Sequence, residues 1–253
     1  MPPRRGDAPR PPVVNPERER AEVLVKSSGL PLSLAFRVVR KELSLSEAVA
    51  QLAQHAEVEN LIQRHGLNRA LATQVARGEV KLEDVLRKMR QKAHLESTAQ
   101  RSGLTDALTS GATMTFAVHG AKNLRGRVVG VDPYDVHVIP EEGPQLVLPK
   151  VQIKYLYPSE QYKSVRKGLK YDAARRQVCE PILRPQERYG CSDQRLFRYL
   201  DSNTQVCVTV LEGDQFHGRV VWMTRWEFGL KVEKAGPVIV VFRHALADIG
   251  EAR

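Results

Sequence analysis

Residues 205–249 read QVCVTVLEGDQFHGRVVWMTRWEFGLKVEKAGPVIVVFRHALADI. Short apolar runs separated by Gly and Pro are typical of β-strands. We expect a strand at 205–211, a turn at Gly213, a long bent run over 216–233, a break at 235–237 and a last strand pair over 238–249. Because these connections leave no room for a crossover helix, the strands should pair antiparallel. Five strands in so bent a sheet predict a small barrel.

The same pattern occurs upstream, over residues 104–158. Short strands are expected at 114–118, 146–148 and 152–157, with a long strand over 124–138 that bends near Gly130. The sequence therefore predicts an α+β protein in which helical hairpin repeats precede two small, five-stranded antiparallel barrels. The barrels would occupy 104–158 and 191–253, with a basic linker over 159–190.

A helical domain is predicted over residues 20–98, where a 37-residue repeat aligns 29–49 with 66–86 without gaps. Each copy reads as a short helix, a tight turn and a longer helix. Asn68 is expected to cap one short helix, and Ser44 with Glu47 forms a candidate capping box for a longer one. The repeat resembles no family that we recognise. Residues 1–19, rich in Pro and Arg, are expected to be disordered.

The 253 residues carry a formal net charge of +10 and give a pI of about 9.7, which suits a polyanionic partner, first of all nucleic acid and second an acidic membrane surface. Cys179, Cys191 and Cys207 form no CxxC pair, so neither a disulfide framework nor a zinc site is indicated. No spanning segment or secretory signal is expected, which predicts a cytoplasmic protein. No cofactor and no enzymatic activity are expected, because phosphate-loop, nucleophile-elbow and HExxH patterns are missing from the sequence.

Three segments carry a family resemblance: LEGDQFHG at 211–218, MTRWEF at 223–228 and VFRHAL at 241–246. They resemble the Hfq branch of the Sm-like fold, the bacterial RNA chaperones. The resemblance covers residues 192–249, and a looser copy lies within 104–158. It implies a protein that binds single-stranded RNA as a post-transcriptional regulator or RNA chaperone.

The resemblance also implies which residues contact RNA. In the second copy, Trp226, preceded by Arg225, takes the place of a stacking ring. The implied proximal RNA-binding residues of this copy are Phe242, Arg243 and His244, with Asp193 on the preceding helix. A histidine that only bonds to backbone within the last strand pair is the alternative for His244.

In the first copy, Tyr134 and Lys150 take the corresponding places, but the histidine is lost. A second, purine-binding face of the family maps onto Phe116 and Lys122, whereas Glu212 and Asp214 make that face of the second copy acidic. The two copies are therefore expected to divide the two RNA-binding faces between them. Phe116 as a core residue is the alternative.

The linker is dense in cations, and no acidic residue occurs between Tyr162 and Tyr171. Lys163, Arg166, Lys167 and Lys170 are predicted to form a phosphate-binding arm, on a helix if the region 160–177 is helical. A solvated tether is the alternative.

Sm-like subunits join edge to edge into rings, so the resemblance implies a homo-oligomer, such as three chains forming a six-barrel ring. A dimer, or a monomer whose barrels pair only with each other, stays open. Arg37, Arg40, Arg69 and Arg77 could place the helical repeats on DNA, but a protein partner is favoured. The alternative function is a structural adaptor whose helical repeats bind a protein or DNA and whose barrels only oligomerise.

Overall fold

The computed structural model describes residues 15–233 and 236–252. The chain divides into two compact units, the first ending at Arg87 and the second comprising Lys88–Arg253. The helices of the described chain are α1 (Pro16–Ser28), α2 (Leu32–Val39), α3 (Leu45–His65), α4 (Arg69–Ala76), α5 (Leu82–Ser97), α6 (Gly103–Ser110), α7 (Tyr162–Gly168) and α8 (Asp193–Asp201). None of the helices in this part of the chain combines the length and apolar character needed to cross a bilayer.

The helical repeat has the expected short and long helices, α2 with α3 and α4 with α5. Ser44 and Glu47 form the predicted capping box: the Ser44 hydroxyl accepts from the Glu47 N–H at 3.2 Å, and the Glu47 carboxylate accepts from the Ser44 N–H at 2.8 Å. The Asn68 side chain accepts from the Leu71 N–H at 2.9 Å and so starts α4 as predicted. Helix α1 begins at Pro16, inside the stretch that was expected to be disordered; residues 1–14 of that stretch lie outside the described residues.

The strands form one open antiparallel sheet rather than two barrels. They are β1 (Thr113–Val118), β2 (Leu124–Val131), β3 (Asp135–Pro140), β4 (Leu146–Pro149), β5 (Ile153–Pro158), β6 (Leu169–Tyr171), β7 (Gln205–Val210), β8 (Asp214–Met223), β9 (Glu227–Val232), β10 (Val238–Phe242) and β11 (Leu246–Glu251). Their order is β11-β7-β8-β9-β10-β5-β1-β2-β3-β4, and β6 pairs with β8 beside this path. The prediction of two separate five-stranded barrels is therefore wrong. We call β1–β5 the first half-sheet and β7–β11 the second half-sheet.

The two half-sheets are continuous because β10 pairs with β5, with Val240 opposite Leu156 and Val241 opposite Tyr155. Side chains of these two strands alternate between two hydrophobic cores. Tyr155 and Val241 lie in the core of the second half-sheet, whereas Leu156 and Phe242 lie in the core of the first. A strand that is paired along both edges and buried on both faces belongs to the sheet interior, so neither half-sheet closes on itself.

Each half-sheet has the same plan. A helix precedes it, α6 or α8, and its strands follow the same spatial order. The pairing register shifts between Val128 and Gly130 in the first half-sheet and between Val220 and Trp222 in the second, which marks a β-bulge in each. The first of these bulges lies at the predicted bend near Gly130. The single long strand predicted over 124–138 is wrong, because the chain reverses after β2 and returns as β3, antiparallel to it.

In each half-sheet, one glycine lies where the backbone of the neighbouring strand comes very close. A Cβ added to Gly126 on β2 would lie 2.6 Å from the carbonyl oxygen of Ile139, and one added to Gly218 on β8 would collide with the carbonyl oxygen of Lys231. Since any side chain would push the neighbouring strand away, only glycine permits these close contacts between paired strands.

The region predicted as a linker contains ordered elements. Helix α7 ends at Gly168, earlier than the expected helical region, and is followed by β6, in which Leu169 pairs with Phe216 of β8. Val165 on α7 is buried in the core of the second half-sheet. Packing and strand pairing therefore hold this part of the region against the sheet.

Candidate functional site

Trp226 lies in the turn between β8 and β9 and exposes 66% of its surface. The Thr224 N–H donates to the carbonyl of Glu227 at 2.8 Å, and the Thr224 hydroxyl accepts from the Trp226 N–H at 3.2 Å. The Arg225 guanidinium lies 4.9 Å from the centre of the indole, within the range of a cation–π contact. A rigid turn therefore presents a large aromatic ring and a cation to solvent together.

Arg243 is fixed beneath this turn. Its N–H donates to the carbonyl of Trp226 at 2.9 Å. Its guanidinium donates to the Asp193 carboxylate at 2.6 Å and to the carbonyls of Thr224 at 3.2 Å and Cys191 at 2.5 Å. The sequence-predicted residues Arg243 and Asp193 thus meet, but in an ion pair that anchors the turn.

His244 lies at the junction between the half-sheets. Its Nε2 is 2.9 Å from the carbonyl oxygen of Ile153, and burial lowers the pKa of the imidazole to about 4. Because a carbonyl can only accept, Nε2 carries the hydrogen in the neutral ring, and Nδ1 is left as an acceptor. The histidine does bond to backbone, although to β5 and not within its own strand pair. Phe242 is buried in the first core, its ring 5.4 Å from that of His244.

The first half-sheet repeats this construction with Tyr134 and Lys150. Tyr134, in the turn between β2 and β3, is 83% exposed. The Lys150 N–H donates to the carbonyl of Tyr134 at 2.8 Å, as Arg243 does to Trp226, and the Lys150 ammonium lies 3.3 Å from the carbonyl of Pro133. Each half-sheet therefore holds an exposed aromatic residue whose carbonyl accepts a hydrogen bond from the backbone N–H of a cationic residue.

The predicted purine-binding pair is separated. Phe116 is fully buried in the core of the first half-sheet, so its ring offers no face to a base. Lys122 is exposed in the turn after β1. Phe116 is therefore a core residue, which was the alternative interpretation. The expected division of the two RNA-binding faces loses its aromatic residue.

The predicted basic arm is exposed as a group. Its residues are Lys163, Arg166 and Lys167 on α7 and Lys170 on β6. Beside it lies a crevice of about 90 Å³ with several tyrosines in its wall. Tyr162 and Tyr171 on its rim are partly exposed, and the Arg176 guanidinium lies 4.8 Å from the ring centre of Tyr171. The four cations of the arm thus lie between two exposed rings, a signal that sequence reasoning used only in part.

A buried charge cluster was missed by sequence reasoning. Lys154 of β5 is 6% exposed, and its ammonium lies 2.5 Å from the Glu212 carboxylate and 3.7 Å from that of Asp214. The Tyr155 hydroxyl donates to Asp214 at 3.0 Å. Burial raises the pKa of Asp214, although the positive charge of Lys154 acts in the opposite direction. The acidic pair that was expected to make this face of the second copy acidic is therefore largely buried, and its two carboxylates share one lysine from the other half-sheet.

No model of a known protein family matches the chain, and no significant similarity to a curated protein was found. Its function must be inferred from its residues and their geometry.

Proposed function

We propose that this protein binds single-stranded RNA through exposed aromatic platforms at Trp226 and Tyr134. The observation that supports this most is the duplication: each half-sheet keeps an exposed ring in the same hydrogen-bonded turn. Stacking of one base on such a ring contributes about 1–3 kcal/mol. The resemblance to Hfq extends the proposal to a cytoplasmic RNA chaperone or post-transcriptional regulator that retains RNA without turning it over.

The rest of the surface supports the same ligand. The formal charge of +10 favours a polyanion, and the exposed basic arm beside Tyr162 and Tyr171 offers further phosphate and base contacts. Within the proximal group, we assign contact with RNA to Arg225, Trp226, Tyr134 and Lys150. We assign Arg243 and Asp193 to positioning of the turn, because their charges already neutralise each other.

The experiment is fluorescence anisotropy with labelled U-rich and A-rich oligonucleotides. We expect Trp226→Ala or Tyr134→Ala to weaken binding about 5- to 100-fold, and Trp226→Phe to retain most of the affinity. Leu183→Ala, which removes another exposed apolar side chain, is the control and should leave binding unchanged. Unchanged affinity after loss of both rings would disprove the proposal.

We also propose that the chain forms a homo-oligomer through its free sheet edges. The internal junction joins β10, the fourth strand of one half-sheet, to β5, the fifth strand of the other. At the ends of the sheet, β4 is a fourth strand and β11 is a fifth strand. Pairing of β4 with β11 of a second copy would repeat the internal junction, and three chains could then form a ring with six half-sheets.

For the helical unit we propose a protein partner rather than DNA. Each arginine that could contact DNA has a carboxylate partner within 4 Å, and the pairs are Arg37–Glu42, Arg40–Glu17, Arg69–Glu59 and Arg77–Glu79. Such exposed pairs contribute little stability. They nevertheless reduce the local positive potential that phosphate binding requires. An adaptor role for this unit is compatible with RNA binding by the sheet.

A further inference from the structure

Three side chains with metal-binding atoms converge between the two half-sheets. They are His119 after β1, Cys179 in the segment between β6 and α8, and Glu212 in the turn after β7. Their ligand atoms all lie within 4.8 Å of one another, and His119 Nδ1 is 3.6 Å from Glu212 Oε1. In a tetrahedral zinc site with bonds of about 2.0–2.3 Å, neighbouring ligand atoms are about 3.4–3.6 Å apart. The separation between His119 and Glu212 already fits this spacing, and the ligand atoms of the cluster, which lie within 4.8 Å of one another, must approach by at most about 1.2 Å to hold an ion.

The imidazole of His119 is buried without a hydrogen bond in the described part of the chain. Its side chain is 1% exposed, and neither ring nitrogen has a hydrogen-bond partner within the described residues. Buried polar groups in folded proteins are almost always paired, so such an orphan ring calls for an explanation. The neutral imidazole is the form that binds a metal. Coordination through one ring nitrogen would satisfy it.

The carboxylate of Glu212 is oriented towards the same point. Its Oε1 accepts from the N–H groups of Gly120 at 2.7 Å and Cys179 at 3.3 Å, while Oε2 pairs with Lys154. Outer hydrogen bonds of this kind hold metal ligands in place. Glu212 also has a φ of +69°, a left-handed conformation that is costly for a residue with a side chain.

The charges of the cluster balance around a divalent cation. Metal binding would displace the thiol proton of Cys179. The thiolate would then join the carboxylates of Glu212 and Asp214, so three negative charges would face the one positive charge of Lys154. A doubly charged ion would make this partly buried group neutral.

We propose that His119, Cys179 and Glu212 bind one Zn²⁺ ion, with water as the fourth ligand. Imidazole, thiolate and carboxylate together match the ligand preference of zinc. The ion would fasten the segment that carries Cys179 to the turns after β1 and β7. The proposal is independent of RNA binding.

The test uses the full chain, stripped with a chelator and titrated at neutral pH with Co²⁺ and then with Zn²⁺. We expect one equivalent of Co²⁺ to produce thiolate-to-cobalt charge-transfer absorption, and Zn²⁺ to abolish it by replacement. Cys179→Ser should remove the band, and Glu212→Gln and His119→Gln should weaken Zn²⁺ binding at least about tenfold. Cys207→Ser, which alters a cysteine outside the cluster, should leave the band and the stoichiometry unchanged.

Circular dichroism of each variant distinguishes loss of a ligand from loss of the fold. If His119→Gln or Glu212→Gln is unfolded, the comparison of Cys179→Ser with Cys207→Ser decides the question, because both exchanges replace one sulfur by oxygen. Absence of saturable binding to the folded wild-type chain would overturn the proposal. So would equal binding by the Cys179→Ser variant.

Discussion

The backbone N–H of Arg243 donates a 2.9 Å hydrogen bond to the carbonyl oxygen of Trp226. The exposed ring is thereby tied to the 3-10 turn Arg243–Ala245, which follows β10. His244 in this turn bonds to Ile153 at the start of β5, in the other half-sheet. The aromatic platform is therefore positioned by the junction of the half-sheets and not by its own turn alone.

Replacement of Arg243 should destabilise the unit Lys88–Arg253 before it affects RNA contacts. Arg243→Ala leaves the Asp193 carboxylate without its cation and frees two carbonyls, which should cost about 2–3 kcal/mol. Arg243→Lys keeps the charge but not the forked geometry, so it should cost about half as much. Urea unfolding followed by tryptophan fluorescence measures this, because Trp222 and Trp226 both lie in this unit. An unchanged midpoint in Arg243→Ala would show that the network is dispensable.

His244 should make the stability of this unit depend on pH between about 6.5 and 4. Burial lowers the folded-state pKa to about 4, so the unfolded chain binds the proton more tightly in this window. The contribution is complete above pH 6.5 and is lost as the pH falls towards 4, where the total loss approaches about 3 kcal/mol.

His244→Gln provides the matched comparison, since its amide N–H can still donate to Ile153 but does not titrate. Other buried groups also contribute to the pH dependence; burial lowers the pKa of His94 and raises that of Glu227. The difference between wild type and His244→Gln isolates His244. Parallel curves for the two proteins over this pH range would refute the assignment.

The basic arm should determine much of the salt dependence of RNA binding. Each phosphate contact with single-stranded RNA contributes about 0.7 to the slope of log K against log salt. Lys163→Ala combined with Lys167→Ala should therefore reduce the slope by about 1.4. The control removes two exposed lysines of the helical unit, Lys26→Ala with Lys81→Ala, and changes the net charge equally. Equal slopes for the two double variants would assign the effect to net charge rather than to the arm.

Local patterns in the sequence were enough to predict most of the elements. The alternation over 205–211 predicted the bounds of β7 to within one residue. The bend predicted near Gly130 coincides with a β-bulge. The capping box at Ser44 and the cap at Asn68 were also correct, because a cap depends on residues within one turn of the helix. The break at 235–237 falls partly on residues outside the described ranges.

Pairing between distant segments could not be predicted in the same way. The contact of β5 with β10 joins Leu156 to Val240, and neither segment specifies the other by its alternation. The burial of Phe116 follows from the position of β1 between two cores: Ala117 faces one core and Phe116 the other, and the strand's own sequence specifies neither neighbour. The cluster of His119, Cys179 and Glu212 is assembled from three distant loops, so its spacing in the chain gave no metal signal.

The free edge at β4 should mediate self-association. Val147 on this strand is 55% exposed, and a charge on an edge strand opposes pairing with another chain. We expect Val147→Asp to reduce the molar mass measured by light scattering to that of a single chain. The control is Ile139→Asp, which places the same charge on β3, a strand already paired on both sides with β2 and β4. It should leave the oligomer intact if folding is preserved. A wild-type chain that is monomeric at all concentrations, or an oligomer that Val147→Asp does not disrupt, would rule out pairing through this edge.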